Sequence, residues 1–590
     1  MSSIPTISSS VISAKSAVEP EQKKTLTPEE EAQLRAYSDQ ILARITAENG
    51  DHLLVRVGLR FDFSEMVELC RRYRSELETR GVEAKYSGEQ LVRAVALKRL
   101  SAYSYRKTEQ HIKTDMLVRW FTGFSLHEET PDYSTLYRFE QWVIKHEPRA
   151  FFTLVLRQIR EDHPEETKAI QFGDTFAMHT RAADKGRTQL LSETVIHLWR
   201  TFEVAAEGQV DLDGLQAKLQ AVLGEEEEMP AFMLTPAERD ERTFDTAKAA
   251  ASLLSAINEA ATAITMPIRL TMEAFQRWAQ RLEKMLADEF VFEIDENGRT
   301  SVRFCTKEER GSYRMISAVD PEITVRSHGK SIARGFNISV AATHNFIHEI
   351  QAATGATPDS VGVSLLIAAQ LEHLGTVPPK FVYDQAAGTP KVFFDVAKAS
   401  DGQTQLVARL VDYNKNRKRF GPGDFSLGEG GLLICPNGQG SSRAYRSNSG
   451  DGWNYRFMPD QCAGCPLMDK CRGNEVKSTS YRQACPERSR RVFISDYIVN
   501  QRQAIAYTKT DEFKQEMKSR SNIERIIAGI VRYNGAREAE AYGLAQADYQ
   551  VKMAAMAYNL KRWAALQRTE ERKQRVRTGE RNASTPPDSG

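Results

Sequence analysis

Three acidic residues, far apart along the chain, sit in settings that suit one chemistry. Asp174 lies in AIQFGDTFAMHT, Asp384 in PKFVYDQAAG and Glu524 in SRSNIERIIAGIVRYNGAREAEAYG. The two aspartates end apolar, β-rich stretches. Glu524 opens a helix in which Ile523, Ile526, Ile527, Ile530 and Val531 form one apolar stripe. Hard divalent cations take oxygen ligands, so two strand carboxylates and one helix carboxylate can hold a pair of Mg²⁺ ions. Such a pair activates an attacking oxygen and steadies a leaving one, as phosphodiester chemistry requires. Alone, Asp174 reads as a strand end and Asp384 as a turn residue; in this order with Glu524 they read as one metal-dependent site. Arg520, four residues before Glu524, shares its helical face and could reach a phosphate, or form an ordinary surface pair with Glu524.

The elements that must position these acids follow a strand, strand, strand, helix, strand order. QFGDTFAMH, GFNISVAAT and NFIHEIQAAT read as strands, PDSVGVSLLIAAQLEHLG as a helix with a Gly stop, and PPKFVYD as the next strand. The first and second strands are separated by residues 186–312, read as a helical insertion with a loop at Glu225–Glu228. Residues 413–515, rich in Gly, Ser, Arg and Cys, read as a second insertion. The catalytic domain is thus expected over 166–412 and 516–568, behind a mostly helical region at 28–165. Residues 1–27 read as a disordered leader rather than a signal peptide, and 569–590 as a disordered, partly basic tail.

A chain of 590 residues is too long for one core. The net charge of +1 means that any affinity for nucleic acid must rest on local patches. One candidate lies between 93 and 119, with Arg93, Lys98, Arg99, Arg106, Lys107, Lys113 and Arg119 against Glu109 and Asp115. Another is the loop NKNRKRF, which supplies Lys415, Arg417, Lys418 and Arg419. Both are equally well read as solvated surface. No run of 18 apolar residues suggests a membrane span, and no P-loop pattern suggests nucleotide hydrolysis. Five of the seven cysteines fall between 435 and 485. The spacing Cys462-x-x-Cys465-x₅-Cys471, followed by Cys485, suits a tetrahedral structural Zn²⁺, with Cys435 as the alternate ligand. Reduced cysteines in a loop are the competing reading. Cys70 and Cys305 read as buried apolar residues.

Together these fragments resemble the DDE class of insertion-sequence transposases. The stretch YSGEQLVRAVALKRLSAYSYRKTEQHIKTDMLVRWFTGFSLHEETPDYSTLYRFEQWV is similar to the helical N-terminal domain of that class. Arg520-x-x-x-Glu524-Arg525, Gly535-x-Arg537, Gly543 and Asn559-Leu560-Lys561-Arg562 resemble its C-terminal signature. The resemblance implies an α/β catalytic domain of ribonuclease-H-like fold, a mixed five-stranded sheet with helices, preceded by an all-α DNA-binding domain. It implies Asp174 bridging two Mg²⁺ (or Mn²⁺) ions, with Asp384 on one and Glu524 on the other. It implies contacts to DNA from Arg520, Arg525, Arg537, Arg106 and Lys107. The partners implied are double-stranded element ends and target DNA, the assembly a homodimer on that DNA, and the place the bacterial cytoplasm. Transposition by strand cleavage and strand transfer is the implied activity; a transposase-derived DNA-binding protein without catalysis and a metal-dependent nuclease are the alternatives. The chain departs from the pattern at Met517, Val531 and Gln385-Ala386, where relatives often carry Tyr, a cation and Gly-Tyr.

Overall fold

The computed structural model describes residues 27–578, apart from 181, 183–184, 225–232, 266–268, 295, 297–298, 307, 310–314, 329–330, 411–418, 449 and 472–489. Eight helices come first: α1 (Pro28–Glu48), α2 (Leu53–Arg60), α3 (Ser64–Thr79), α4 (Gly88–Leu100), α5 (Tyr105–Thr114), α6 (Met116–Thr122), α7 (Tyr133–His146) and α8 (Ala150–Asp162). Their starts are written in the sequence. Thr27 and Ser87 make capping boxes with Glu30 and Gln90, and Ser104, Asp115 and Asp132 each accept backbone N–H groups.

Strand β1 (Gln171–His179) follows. The chain then leaves the sheet through α9 (Arg187–Ala206), α10 (Asp213–Leu223), α11 (Pro236–Ala261) and α12 (Arg269–Glu289), and a hairpin of β2 (Phe290–Ile294) and β3 (Thr300–Phe304). These elements share a core of their own, centred on Leu191, Leu198, Phe202, Leu253 and Leu282. The excursion is therefore not purely helical: its last turn of chain pairs as strands.

The sheet resumes with β4 (Thr324–His328), β5 (Ser331–Ala342) and β6 (Ile347–Thr354), then α13 (Asp359–Leu374), β7 (Lys380–Val382), α14 (Pro390–Ala399) and β8 (Gln405–Val407). The order across it is β6-β5-β1-β7-β8, with β5 antiparallel to β1 and with β7 and β8 parallel to it. A sixth strand, β4, pairs with the first half of β5. The five strands expected from the sequence thus become six, because β5 is 12 residues long and its edge is too long for β6 alone.

Residues 419–495 build a small β unit. It holds β9 (Ser426–Leu427), β10 (Leu433–Ile434), β11 (Gly440–Ser441), β12 (Ala444–Arg446) and β13 (Gly452–Phe457). Two single turns, α15 (Pro459–Cys462) and α16 (Met468–Cys471), precede β14 (Arg490–Ser495). Then come α17 (Ile498–Tyr507), α18 (Asp511–Ser519), α19 (Asn522–Tyr533) and α20 (Leu544–Thr578). Phe513 of α18 already belongs to the core of the main sheet, so the chain has returned to the sheet before residue 515.

Helix α20 joins the two largest cores. Ala547, Val551, Ala554 and Ala555 pack on the sheet, while Tyr549, Met553, Met556, Leu560 and Trp563 pack among the N-terminal helices. Asn559 pairs its side chain with both backbone groups of Ile347, at 2.8 Å each. Helix α20 also continues to Thr578, through the first ten residues of the tail expected to be disordered. The physical reason is an ion pair: Glu571 holds Arg56 at 2.8 Å and Arg60 at 3.1 Å. Among the described residues no helix is long and apolar enough to cross a membrane.

Candidate active site

Side chains alternate along a strand, so β1 sends Phe172, Phe176 and Met178 to the face covered by α19 and α20, and Asp174 shares that face. Strand β7 aligns with β1 in parallel, Phe172 opposite Val382. Asp174 and Asp384 each lie two residues beyond that pair, which sets both carboxylates at the same level on neighbouring strands. Close packing behind them depends on Gly173. A Cβ there would lie 2.4 Å from the Phe381 ring and 2.5 Å from Tyr383. Asp384 caps the short turn at Gln385–Ala387, accepting the Ala386 N–H at 2.9 Å.

Helix α19 buries Ile523, Ile526 and Ile530 completely against the sheet, which holds Glu524 at the rim, two-thirds exposed. Arg520 stands at the junction of α18 and α19 and spans two of the acids. Its guanidinium donates to Asp174 Oδ2 at 2.8 Å and lies 3.8 Å from Glu524. Burial pushes the Asp384 carboxyl above the ordinary carboxylate range; the Ala386 N–H opposes this, and the charge of Asp174 adds to the rise. Sequence reasoning missed Lys380, which ties β7 to α18. Its ammonium donates to Glu516 at 2.6 Å and to Tyr507 at 2.9 Å, and also to Glu512. It missed Asp359 as well, held at the first turn of α13 by Asn337 at 2.8 Å and Arg326 at 3.2 Å. Arg326 in turn donates to Thr175, next to Asp174, at 2.7 Å. Near Asp174, Asp359 and Asp384, the buried Tyr383 hydroxyl has no hydrogen-bond partner among the described residues.

The donor chemistry of Asp174, Asp384 and Glu524 suits hard cations. Among the described residues, however, no three His, Cys, Asp or Glu side chains are gathered closely enough to hold a metal ion. The cation beside Asp174 and Glu524 is the Arg520 guanidinium.

The basic residues expected on DNA divide. Arg106 and Lys107 are exposed on α5, with Arg106 over the Tyr133 ring at 4.5 Å and Lys107 over Tyr103 at 4.6 Å. Lys98, Arg99 and Arg119 are not a surface at all. Lys98 donates to Glu140 at 2.7 Å, and Arg99 bridges Glu140 and Glu540, the latter at 2.9 Å. Arg119 donates to the Ser125 and Glu128 carbonyls, both at 2.6 Å. The correction follows from a fully buried acid, Glu140, which needs neutralising cations inside the helical core. Arg525 is exposed and donates to the His344 carbonyl at 2.7 Å. Arg537 is exposed, and its carbonyl accepts the His179 N–H at 2.9 Å, extending β1. Arg419 is exposed. Lys415, Arg417 and Lys418 lie outside the described residues.

Cys435, Cys462, Cys465 and Cys471 all line one small cavity, about 30 Å³, beneath the β unit. Cys485 lies outside the described residues. Among the described cysteines, Cys435 shares the cavity with the other three, although their sulfurs are not drawn together as a finished metal group.

Two protein-family profiles match the chain. "Transposase DDE domain" covers residues 434–564, and "Transposase domain (DUF772)" covers residues 43–142. The first takes in Arg520, Glu524 and four of the clustered cysteines together with Cys435, and begins downstream of Asp174 and Asp384. No curated protein and no solved structure matches the chain.

Proposed function

We propose that the chain is a DDE-class insertion-sequence transposase, a reading supported by its matches to a transposase DDE domain and a transposase domain, and that it binds the terminal inverted repeats of its element and cuts and joins DNA there with Mg²⁺. The observation that carries this reading is the site geometry. Asp174 on β1 and Asp384 just past the end of the parallel strand β7 each lie two residues beyond the Phe172–Val382 pair, and Arg520 links Asp174 to the helix that presents Glu524. The strand order β6-β5-β1-β7-β8 supports a ribonuclease-H-like catalytic domain, with α19 across its face.

Bound divalent ions supply charge neutralisation at the phosphate and a more acidic attacking hydroxyl. Asp174, Asp384 and Glu524 would hold them. Arg520 then moves from Asp174 to a phosphate of the bound strand, where its fork of donors is well suited. Lys380 keeps α18, and with it Arg520, at a fixed distance from β7. The attack is by water on the element end and then by the freed 3′-hydroxyl on target DNA. Pairing two ends requires two copies of the chain. The α5 cations Arg106 and Lys107 contact the phosphate backbone of the end. The cysteines around the small cavity would hold a structural Zn²⁺, which would fix the loops of the β unit.

The test is cleavage of labelled DNA bearing the element's own ends, with Mg²⁺ or EDTA, by the wild type and by Asp174→Asn, Asp384→Asn and Glu524→Gln. Metal-dependent nicking at the boundary, lost in each variant while end binding persists, is the expected result. Specific binding without nicking by the wild type overturns catalysis and leaves a DNA-binding protein. Nicking that survives in one variant removes that residue from the site.

A further inference from the structure

The main sheet ends at β8, and its outer edge has no neighbouring strand among the described residues. In a parallel ladder, alternate residues turn both backbone groups toward the paired strand. The Gln405 N–H donates to the Pro379 carbonyl and the Val407 carbonyl accepts the Tyr383 N–H, both at 2.9 Å, so residues 405 and 407 face β7. Leu406, between them, turns its N–H and C=O the other way, to the free edge. Leu406 is only 5% exposed, so this edge presents one donor and one acceptor in a sheltered place.

A cavity of about 410 Å³ lies along the edge, walled by α14 and α17. Its walls are fixed by hydrogen bonds. Ser400 accepts the Thr404 N–H at 3.1 Å and Thr404 donates to the Pro378 carbonyl at 2.7 Å, which sets the turn into β8. Across the cavity, Tyr507 donates to Glu516 at 2.7 Å and accepts from Lys380 at 2.9 Å. The polar groups that line the space are of another kind. Gln403, Gln405, Asn500 and Gln503 all line it, and none of these four carboxamides makes a hydrogen bond to a described residue. Phe393 and Tyr507 add ring surface, and among the described residues no charged side chain lines the cavity.

Each feature narrows the ligand. Without a lining charge, the cavity offers nothing to pair with a phosphate, a carboxylate or an ammonium group. Carboxamides and a backbone N–H and C=O place donors beside acceptors, and so match a ligand edge that does the same. Ring surface favours a flat ligand. An added peptide strand draws its affinity from a run of main-chain bonds, and β8, three residues long, presents one outward pair.

We infer that this cavity binds a nucleobase. A base is neutral, has donors and acceptors side by side on one edge, and has two flat faces. The cavity is of the size that small ligands occupy. It takes in Pro379 and Thr404, just before β7 and β8, whereas Asp384 follows the other end of β7. It is therefore separate from the proposed catalytic site. The base comes from a free nucleoside or from an unpaired position of a DNA strand. The second source rests on the transposase reading; the chemistry of the cavity does not.

The experiment uses the full chain and saturation-transfer nuclear magnetic resonance, with the four deoxynucleosides and a blocked tripeptide amide as probes. Saturable deoxynucleoside binding is expected at about 0.1–10 mM, as suits so small a ligand. Asn500→Ala and Gln503→Ala are each expected to weaken it about 2- to 10-fold, one lost hydrogen bond apiece. Ala397→Phe fills the cavity and is expected to abolish it. An unchanged melting temperature certifies folding; Asn500 is half-buried and Gln503 exposed, so their double variant tests the cavity even where Ala397→Phe is unstable. Competitors are a single strand of about 20 nucleotides, longer than one strand-binding site, and its duplex. Displacement by the single strand more than by the duplex assigns the base to DNA, and binding without displacement assigns it to a free nucleoside; both uphold the site. No saturable deoxynucleoside binding, undiminished binding in the double variant, or tighter binding of the tripeptide amide overturns the inference. Boundary nicking by the wild type, measured beside it, reports separately on the transposase reading.

Discussion

In the proposed site Arg520 holds the place that a metal ion would need, and removing it should reveal the competition. The guanidinium donates to Asp174 at 2.8 Å, with both side chains about one-fifth exposed, at 21% and 23%. A hydrogen bond between charged groups contributes about 1.5–3 kcal/mol. Coulomb's law at an effective dielectric near 20 gives about 4 kcal/mol for unit charges 4 Å apart, a ceiling that partial exposure lowers. A cation binding Asp174 must first release this pair. Arg520→Ala should therefore tighten Mn²⁺ binding by roughly 10- to 100-fold in the absence of DNA, at about 1.4 kcal/mol per decade. Titration of free Mn²⁺ by electron paramagnetic resonance measures this directly, with Asp174→Asn as the weakened control. A second consequence follows from reciprocity of binding. In the wild type, DNA that draws Arg520 onto a phosphate should raise Mn²⁺ affinity, and Mn²⁺ should raise DNA affinity by the same factor. In Arg520→Ala that coupling should vanish while cleavage falls. Mn²⁺ affinity that is unchanged or weaker in Arg520→Ala refutes the reasoning.

Glu140→Ala should cost about 3–5 kcal/mol in urea unfolding, because it strands Lys98 as a buried cation and leaves Arg99 only Glu540. Lys98→Met with Glu140→Leu should recover most of that, and a loss below about 1 kcal/mol for Glu140→Ala alone would discard the account. Acid should weaken the join between α8 and β6. Burial holds His348 below its usual pKa, and although burial opposes it, hydrogen bonds from His348 and Thr343 hold Glu166 below its own. Both groups take up protons more readily when unfolded. Their contribution is complete above the ordinary histidine value near 6.5 and is lost as pH falls, His348 first and Glu166 below about 4.3. The melting temperature should drop between pH 7 and pH 5, and His348→Gln should flatten that drop; an equally steep fall in the variant counts against it. Purified chain should carry about one Zn²⁺, lost with Cys462→Ser or Cys435→Ser by elemental analysis; full zinc retention in both variants excludes these ligands.

What could be read from the sequence was local, and what could not was set by partners distant in the chain. An apolar strand that carries Asp174, an apolar strand ending before Asp384 and an isoleucine stripe beside Glu524 are each visible within a dozen residues. Their adjacency is not, since it depends on a parallel register between strands some two hundred residues apart. The same limit explains the misread cations. Within the sequence, Lys98 and Arg99 look like the solvated flank of α4. Their burial is decided by Glu140, 42 and 41 residues on, and by Glu540, 441 residues on. Nothing local separates a lysine that waits for phosphate from one already neutralised. Arg520 shows the same ambiguity at the site itself: spacing offered Glu524 as its partner, while the fold pairs it more closely with Asp174, 346 residues earlier. The cavity beside β8 goes further. Gln405 and Asn500 carry no shared spacing, and only the placing of α17 along the edge of β8 brings them to one cavity. For a chain that folds by non-local pairing, residue type and periodicity nominate the chemistry, and register decides which nominees meet.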